Sequence, residues 1–441
     1  MADLPRRLGF FSAVAVLVGS TIGSGIFRSP AAVAERIPDA KLFLAAWIVG
    51  GLCVLAGALT YAELAGALPR TGGVFVYLRE AYGRMPAFLF GWAELTIIRA
   101  SALGAISTVF AEYLLRMIGI FDADAVHYTA AIAILLVAAF NSLQIHIAAS
   151  VQNLTASAKY LALVALVLAA FLWHGGTQPS VPATGTLSPN STSIGLFGLA
   201  LISILWVYDG WADLTFMSGE IRSPERYLPA ALITGTLGVI AIYLAANSAY
   251  VHVIGVGEIA RSKLVAADVA ERLVGRIGVT FISSAVMISA LGTLNGSLMT
   301  GPRIFFAMAD DRLFFKKIAA VHPRFQTPYR AIWLAAGLGA VFVLIRSFEQ
   351  LADTFVLGIW PFYAAGTAAV YVLRRKQPDL PRPYRVWGYP VTPAIFLIAS
   401  LFLLGNALIT DFAGVWFVFA IQLAGIPVFW LWQSSVKGKG I

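Results

Sequence analysis

The chain has 441 residues, of which 59% are hydrophobic and 12% are charged, and its formal net charge is +9. A soluble domain has about 25% charged residues, so this composition excludes an ordinary soluble protein and indicates a polytopic membrane protein. The positive charge does not indicate nucleic-acid binding, because Lys and Arg lie in short loops between apolar segments rather than on one face. The single cysteine, Cys53, can form neither a disulfide within the chain nor a thiolate metal cluster.

About twelve apolar segments are predicted to cross the bilayer, since about twenty apolar residues span its hydrocarbon core. They lie within residues 9–35, 42–68, 85–117, 126–147, 151–173, 193–221, 228–253, 277–309, 329–346, 351–374, 391–410 and 413–434. With the N-terminus placed in the cytoplasm, about nineteen basic loop residues lie inside and about eight lie outside. The sequence therefore predicts an integral membrane protein with both termini in the cytoplasm.

The first segment contains a stretch rich in glycine and hydroxyl residues, which reads VGSTIGSGIF at positions 18–27. Each glycine costs a helix interior about 1 kcal/mol relative to alanine, so the helix is predicted to open here. At membrane depth an opened helix is tolerated only where protein covers its backbone or where it lines a wet cavity. The alternative is a continuous helix whose small residues serve close helix packing.

The sixth segment contains a second predicted opening. Asp209 and Asp213 lie in the middle of this segment, beside Gly210. A carboxylate at the bilayer centre costs at least about 2.5 kcal/mol, so it should face a cavity or a partner. The alternative is a continuous helix whose aspartates point into the interior of the helix bundle.

These openings fall in the first and sixth segments, so equivalent positions are five segments apart. Because five is odd, the second set of five would run inverted relative to the first. Interrupted helices at matching positions of inverted repeats indicate a transporter site at the bilayer midplane. We therefore predict one repeat in residues 1–173, a second in 193–374, and two further helices in 391–434.

Two opened helices present free backbone groups of both polarities. Free N–H groups at a half-helix N-terminus suit a carboxylate, and free carbonyls at a half-helix C-terminus suit an ammonium. The N–H groups of Ser24, Gly25 and Ile26 are predicted to bind the carboxylate. Gly23 and Gly25 are predicted to let a ligand approach the backbone closely. The carbonyls predicted to bind the amine belong to Thr21, Ile22, Trp206, Val207 and Asp209. An α-amino acid is favoured, while a small cation or a sugar stays open.

Several motifs resemble the amino acid–polyamine–organocation (APC) family, in particular its bacterial members of the L-type amino acid transporter branch. They include GSGIF at 23–27, LPRTGG at 68–73 and YDGW at 208–211. Further matches lie at 77–83, 92–101, 219–224, 226–229, 295–297, 307–310, 374–385 and 388–390. The matches keep their order from about residue 10 to residue 390, which makes the set far more specific than GSGIF alone.

This resemblance implies a LeuT-type fold of ten core helices plus two, and amino acid transport by alternating access. It implies that Ser24 and Gly25 hold the carboxylate, and that carbonyls at Thr21, Trp206 and Asp209 hold the amine. It also implies an aromatic gate at Trp206. The family's side-chain pocket corresponds to Ile97, Ile98 and Ser101, with Trp360 as a weaker candidate.

Two residues depart from the family pattern. Asp209 replaces a small or apolar residue, so its side chain could add charge to the pocket. Ala212 stands where eukaryotic L-type members often have asparagine. In addition, residues 114–127 contain no cysteine. The resemblance therefore implies a chain without the disulfide-linked heavy subunit of some family members.

Of the charged residues within the apolar segments, Lys159 is the best candidate for a functional role. Family members that do not depend on sodium place a lysine here, in the space of a sodium ion. The resemblance thus implies that Lys159 contacts first-helix carbonyls and a hydroxyl such as Ser283 or Ser289, and couples protonation to transport. The alternative is a snorkelling lysine near the cytoplasmic end.

Other charged residues give weaker signals. Glu94 and Arg99 share the third segment at a spacing of five, which does not make them neighbours on an α-helix, so each is predicted to pair with other helices. The histidines are scattered without metal-ligand spacing, and no nucleophile constellation is present, so neither a metal site, a cofactor nor an enzyme is predicted.

The sequence thus predicts an all-α polytopic protein of the cell membrane, of bacterial inner-membrane type. Its predicted function is secondary active transport of an amino acid, by exchange or by proton symport. The apolar residues of the predicted pocket favour a neutral, apolar side chain. Asp209 keeps a cationic amino acid or a polyamine open, and a non-transporting amino acid sensor of the same fold is a further alternative.

Overall fold

The computed structural model describes residues 8–70, 72–120, 122–143, 160–173, 175, 193–314, 317–318, 322 and 327–437. All regular structure in this part of the chain is helical. The α-helices are α1 (Phe10–Thr21), α2 (Pro30–Arg36), α3 (Ala40–Ala67), α4 (Val74–Tyr82), α5 (Arg84–Ala93), α6 (Arg99–Met117), α7 (Ala123–Leu143), α8 (Tyr160–Leu172), α9 (Ser193–Tyr208), α10 (Asp213–Phe216), α11 (Pro224–Arg261), α12 (Val265–Asp310), α13 (Tyr329–Ile345), α14 (Phe348–Lys376), α15 (Val391–Thr410) and α16 (Phe412–Lys437).

Eight helical stretches of the described chain are long and apolar enough to cross a membrane, by length and composition. They are α3, the continuous stretch Arg84–Met117, α7, α11, α12, α14, α15 and α16. Four shorter apolar helices, α1, α8, α9 and α13, lie in the remaining predicted segments. The prediction of an all-helical, polytopic membrane protein is confirmed, whereas twelve crossings stay a prediction.

Local sequence signals fix where several of these helices begin. The Asp39 side chain accepts a hydrogen bond from the Leu42 N–H at 2.8 Å and caps α3. At α14, the Ser347 and Gln350 side chains bond reciprocally to each other's backbone N–H, which is a capping box. Pro30 and Pro224 stand in the first turns of α2 and α11, where a missing N–H costs nothing.

Helix packing places the interrupted segments inside the bundle. The long helix α11 packs along α3 and α1, while α6 packs along α12, α13 and α7. Two glycines with positive φ bend the connection between α11 and α12, Gly255 inside α11 and Gly275 inside α12. Between these bends, residues 265–273 form an amphipathic helical stretch whose apolar side chains, such as Val265 and Val269, are fully buried. Its amphipathic pattern therefore reflects packing onto the protein.

The proline-rich segment 377–390 is tied back to the helices through Glu63 of α3. Oε2 of Glu63 accepts a hydrogen bond from the Arg374 guanidinium at 2.6 Å and another from the Val386 N–H at 2.8 Å. Arg382 donates to the Leu373 carbonyl at the end of α14, at 3.0 Å. These contacts hold the segment against α3 and α14.

Candidate functional site

The first predicted helix opening is present. Helix α1 ends at Thr21, residues 22–24 are not helical, and a 3₁₀ turn, Gly25–Phe27, leads into α2. The Ile22 N–H still bonds to Val18, but the N–H groups of Ser24, Gly25 and Ile26 have no acceptor in the described structure. A continuous helix packed through its small residues is thereby excluded.

Gly23 differs from the three residues that follow it, because its N–H is already bonded. The Gly23 N–H donates to the Thr21 carbonyl at 2.8 Å and closes an inverse γ-turn around Ile22, whose φ and ψ are −75° and 83°. A Cβ added to Gly23 would meet only ordinary contacts, at 3.9 Å from the Thr21 oxygen and from Thr293 Cγ2. The close approach predicted at Gly23 is thus not made by any described protein group, and an approach by a ligand stays a prediction.

The second opening follows α9. That helix ends at Tyr208, residues 209–212 form a turn, and α10 begins at Asp213. Gly210 has φ +104°, in the region that L side chains avoid. The turn is therefore built on this glycine, and the continuous-helix alternative is excluded here as well.

The two openings lie directly against each other. A Cβ atom added to Gly25 would be 3.1 Å from Val207 Cγ2 and 3.3 Å from Trp206 Nε1. One added to Gly210 would be 2.8 Å from the carbonyl oxygen of Ser20. Gly210 is thus required by the close approach of the two backbones, a side chain at Gly25 would press on Val207 and Trp206, and Gly23 has no such close neighbour.

Tyr243 of α11 connects the two openings through its phenolic hydroxyl. The Oη atom lies 2.7 Å from the Thr21 carbonyl oxygen and 2.9 Å from that of Val207, so its single proton can be donated to either. These are two of the carbonyls predicted to bind an amine. Sequence reasoning missed Tyr243, because it is one of several hydroxyl residues in an apolar segment and nothing local singles it out.

The predicted carbonyls differ in how many acceptor positions they keep, since each carbonyl has two lone pairs. The Thr21 carbonyl accepts the Gly23 N–H, so it keeps a position for an amine only when Tyr243 donates to Val207. The Trp206 carbonyl accepts the Asp209 N–H at 3.3 Å and keeps one position. The two carbonyls without a donor among the described residues are those of Ile22 and Asp209.

Three polar side chains at the predicted site are buried without a partner in the described structure. They are the hydroxyls of Ser24 and Ser101 and the indole N–H of Trp206. Buried polar atoms nearly always have a hydrogen-bond partner, so unpaired ones call for water or a ligand. The Trp206 ring packs edge-on against Phe355 at 4.9 Å between centroids.

The predicted pocket residues on the third segment are fully buried. Ile97 and Ile98 pack towards α14, where a Cβ on Gly358 would lie 3.0 Å from Ile98 Cγ1. Trp360 belongs to an aromatic group with Tyr363 and Phe396, at 5.7 and 5.6 Å between centroids. The structure thus brings the two openings together with Tyr243, whereas Ile97, Ile98 and Trp360 contact other parts of α14 and α15.

The prediction that Glu94 and Arg99 each pair with other helices was wrong in part. Residues Glu94–Ile98 form a π-helix, in which the Arg99 N–H bonds to the Glu94 carbonyl, five residues back. This register brings the Arg99 guanidinium to the Glu94 carboxylate at 3.0 Å. Arg99 also donates to the Ser297 hydroxyl of α12 at 2.9 Å, so one contact with another helix does form.

Asp209 and Asp213 face a charged environment inside the protein. Both are partly exposed, whereas Tyr208 and Trp211 beside them are fully buried. The Tyr363 hydroxyl of α14 donates to Asp209 Oδ1 at 2.9 Å. Asp213, Glu94 and Arg99 all interact electrostatically with one another in this region. The two aspartates therefore face polar and charged groups of the protein rather than lipid.

Lys159 lies outside the described residues. The hydroxyls proposed to meet it, those of Ser283 and Ser289 on α12, are buried and have no partner among the described side chains. A Cβ on Gly19 would lie 3.2 Å from the hydroxyl of Tyr160, the residue after Lys159.

An ion-pair network closes the molecule on the α2 side of the openings. The Arg28 guanidinium contacts Glu112 of α6 at 3.0 Å and Glu349 of α14 at 2.7 Å. Arg36 approaches Asp353 of α14 at 3.9 Å. Within the described residues, no group of three or more His, Cys, Asp or Glu side chains is placed to hold a metal ion.

The similarity to known proteins extends over nearly the whole chain rather than over one motif. A sequence model of the family described as "Amino acid permease" matches residues 8–431. The serine/threonine exchanger SteT of Bacillus subtilis (strain 168) is 33% identical over 430 residues, covering 97% of this chain and 97% of that protein. The human b(0,+)-type amino acid transporter 1 is 31% identical, covering 91% and 82%. The mouse large neutral amino acids transporter small subunit 2 is 32% identical, covering 98% and 83%.

Proposed function

The chain belongs to the amino acid permease family and is an amino acid transporter, and we propose that it works by alternating access as an exchanger or a proton-coupled symporter. The observation that carries this proposal is the trio of free N–H groups at Ser24, Gly25 and Ile26, directly against the second opened helix. Three N–H groups converging at a helix terminus suit a carboxylate. Free carbonyls at the two openings suit an ammonium, and an α-amino acid carries both groups.

The fold proposed for this mechanism is the LeuT-type arrangement of two inverted repeats of five helices, with α15 and α16 added. Its support is the position of the openings, which fall in the first and sixth of twelve apolar segments. In this arrangement the substrate site lies at the midplane between the repeats. Basic-residue counts support cytoplasmic termini, which would place α2 and Arg28 on the outer side of a bacterial-type inner membrane.

The proposed site comprises the backbone of residues 21–26 and the residues Trp206, Val207 and Asp209, with Ile97, Ile98 and Ser101 around the substrate side chain. The unpaired Ser24, Ser101 and Trp206 atoms support this assignment, because a bound ligand or water would satisfy them. The apolar lining favours a neutral substrate with a medium or large apolar side chain.

Gly23 keeps a place in the proposed site through its open surroundings rather than through its N–H group. Gly23 is partly exposed, and its nearest neighbours leave room for a Cβ atom. The same room admits a ligand to the backbone at this point.

A cationic amino acid or a polyamine is the second candidate. The observation that favours it is the local excess of acid, because Glu94, Asp209 and Asp213 are accompanied by the single cation Arg99 in the described structure. A bound positive charge would offset this excess.

Lys159 is proposed as the coupling residue, with its ammonium between the first opening and α12. The contact of Tyr160 with α1 and the two unpaired serine hydroxyls support this position. Burial makes a lysine easier to neutralise, so proton release could accompany transport.

Proteoliposomes containing Lys159→Ala should lose the pH dependence of uptake, whereas Lys159→Arg should keep a charge at this position. Wild-type uptake by Lys159→Ala across pH would remove the assignment.

We propose that the chain acts without a disulfide-linked subunit. Its only cysteine, Cys53, is buried in α3 and is remote in sequence from residues 114–127. Lipid and the amino acid substrate are then its proposed partners.

Ligand-induced thermal stabilisation of the purified protein tests the site directly, because a ligand that binds the folded state raises its apparent stability. The common amino acids should be compared with amines of the same side chain that lack the carboxylate. Stabilisation by amino acids alone supports the carboxylate site at Ser24 to Ile26. Equal stabilisation by the amines contradicts it and favours the cationic candidate.

A further inference from the structure

The contact between Asp209 and Tyr363 joins the second opening to α14, one turn after the pocket candidate Trp360. Asp209 belongs to the second opening and is partly exposed. The Tyr363 hydroxyl donates to Asp209 Oδ1 at 2.9 Å, across 154 residues of sequence. This hydrogen bond has ordinary length and fixes the direction of the Asp209 carboxyl group.

Tyr363 itself is held rigidly by an aromatic group. Its side chain is fully buried, and its ring packs against Trp211 at 5.2 Å and Trp360 at 5.7 Å between centroids. The Tyr61 hydroxyl of α3 donates to the Tyr363 backbone carbonyl at 3.2 Å. The hydroxyl that meets Asp209 therefore has little freedom to move away.

The other charges near Asp209 determine what this carboxylate can bind once it is no longer bonded to the Tyr363 hydroxyl. Asp213 and Glu94 add negative charge close to Asp209. The cation Arg99 is already bound to Glu94 at 3.0 Å and to Ser297 at 2.9 Å. An Asp209 carboxylate that loses the Tyr363 hydroxyl would thus gain no ready cationic partner from the described residues.

We infer that Tyr363 is a positioning residue that sets which charge class of substrate the transporter accepts. Its hydroxyl holds the Asp209 carboxylate towards α14, away from the substrate side chain, and so favours neutral amino acids. Without that hydroxyl, the carboxylate is available to a cationic side chain such as that of lysine or arginine. This inference rests on the proposed amino acid site at the two openings.

The test compares uptake of cationic and neutral amino acids by proteoliposomes containing wild type or Tyr363→Phe. The transport efficiency for lysine, divided by that for the best neutral substrate, should rise about tenfold in Tyr363→Phe, the equivalent of about 1.4 kcal/mol. Tyr77→Phe is the matched control, since it removes a buried hydroxyl from a ring that packs against Tyr61 at 5.6 Å without contacting Tyr363 or Asp209, and its ratio should equal that of wild type. The double variant Asp209→Asn, Tyr363→Phe should return the ratio to the wild-type value.

Each outcome separates this inference from the function on which it rests. If wild type transports no amino acid, the proposed site fails and the inference falls with it. If wild type transports amino acids but Tyr363→Phe lowers all substrates equally, or if the double variant keeps the gain, Tyr363 does not set selectivity. Should Tyr363→Phe fail to reconstitute, thermal stabilisation by lysine relative to the neutral substrate in detergent measures the same preference.

Discussion

Gly210 illustrates, at the scale of single residues, how closely the two opened helices approach. Its φ of +104° and the nearness of the Ser20 carbonyl each exclude a larger residue. A tyrosine hydroxyl then lies within hydrogen-bond distance of two of the carbonyls left by the openings. The close approach of the two openings therefore depends on the absence of a side chain at Gly210 and on a single tyrosine hydroxyl.

Gly210→Ala should abolish transport. The added Cβ would lie 2.7 Å from the Ser20 carbonyl carbon, and a non-glycine residue at this φ costs about 1–3 kcal/mol in addition. Gly238→Ala is the control, because Gly238 lies inside α11 and its Cβ would meet nothing within 4 Å. Transport near the wild-type level by Gly210→Ala would contradict the close approach of the two backbones.

Tyr243→Phe should weaken the connection between the openings. Loss of one hydrogen bond should lower stability by about 1 kcal/mol and raise the KM for substrate, because the Thr21 and Val207 carbonyls lose their shared donor. Tyr250→Phe is the matched control on α11, since the Tyr250 hydroxyl is buried without a partner in the described structure. The thermal midpoint and the KM of both variants measure the difference; equal behaviour would show that the Tyr243 contacts contribute nothing.

At the scale of elements, the π-helix Glu94–Ile98 decides which charges meet. An α-helical register would separate Glu94 from Arg99, whereas five residues complete a π-turn and bring them together. The same turn rotates the remainder of the third segment relative to its start. One irregular turn thus neutralises a buried charge and orients the residues that follow.

Glu94→Gln should destabilise the protein by about 1.5–3 kcal/mol, since the Arg99 guanidinium loses its hydrogen-bonded carboxylate while the charges of Asp213 and Asp209 stay near it. Glu80→Gln provides the contrast: its partner Arg70 is 64% exposed, and an exposed pair contributes about 0–1 kcal/mol. Thermal unfolding in detergent measures both. An equally small effect of the two substitutions would mean that water or the Ser297 contact already satisfies Arg99.

At the scale of the whole molecule, ion pairs tie the half-helix after the first opening to the helices around it. Arg28 bonds to α6 and α14 at once, and its guanidinium also lies 4.5 Å from the centre of the Phe348 ring. On the other side of the openings, Leu8 pairs with Ile221, which joins the start of α1 to the segment after α10. The Arg28 contacts thus hold the half-helix on the α2 side against α6 and α14, and outward movement of this half-helix requires them to break.

Glu112→Gln should open the α2 side more often. The measurement uses a Cys53→Ala background in which Ser24→Cys supplies a single thiol. A membrane-impermeant thiol reagent added from the α2 side should react about tenfold faster when Glu112 is replaced, because a pair that contributes about 1.4 kcal/mol to closure shifts the equilibrium tenfold. Glu258→Gln is the control, because the Glu258–Arg272 pair is more exposed, at 35% and 36%, and does not touch the half-helix. An unchanged labelling rate in Glu112→Gln would exclude the Arg28–Glu112 pair as a contact that keeps this side closed.

The sequence by itself determined the helical membrane architecture, the two helix openings and the family. The length of the apolar segments, the glycines of the first segment and the aspartates of the sixth can all be read from the local sequence. Their free-energy cost in a membrane does not depend on which helices lie beside them. Glycine content alone did not distinguish Gly25, which faces the second opening at close range, from Gly23, which meets no close neighbour.

Only the tertiary structure decided that Glu94 meets Arg99, that Tyr243 joins the openings, and that Tyr363 holds Asp209. The first depends on a backbone register that propensities do not resolve, and the other two depend on contacts between residues 36 to 222 positions apart. Such contacts arise from how helices pack, which no local pattern specifies.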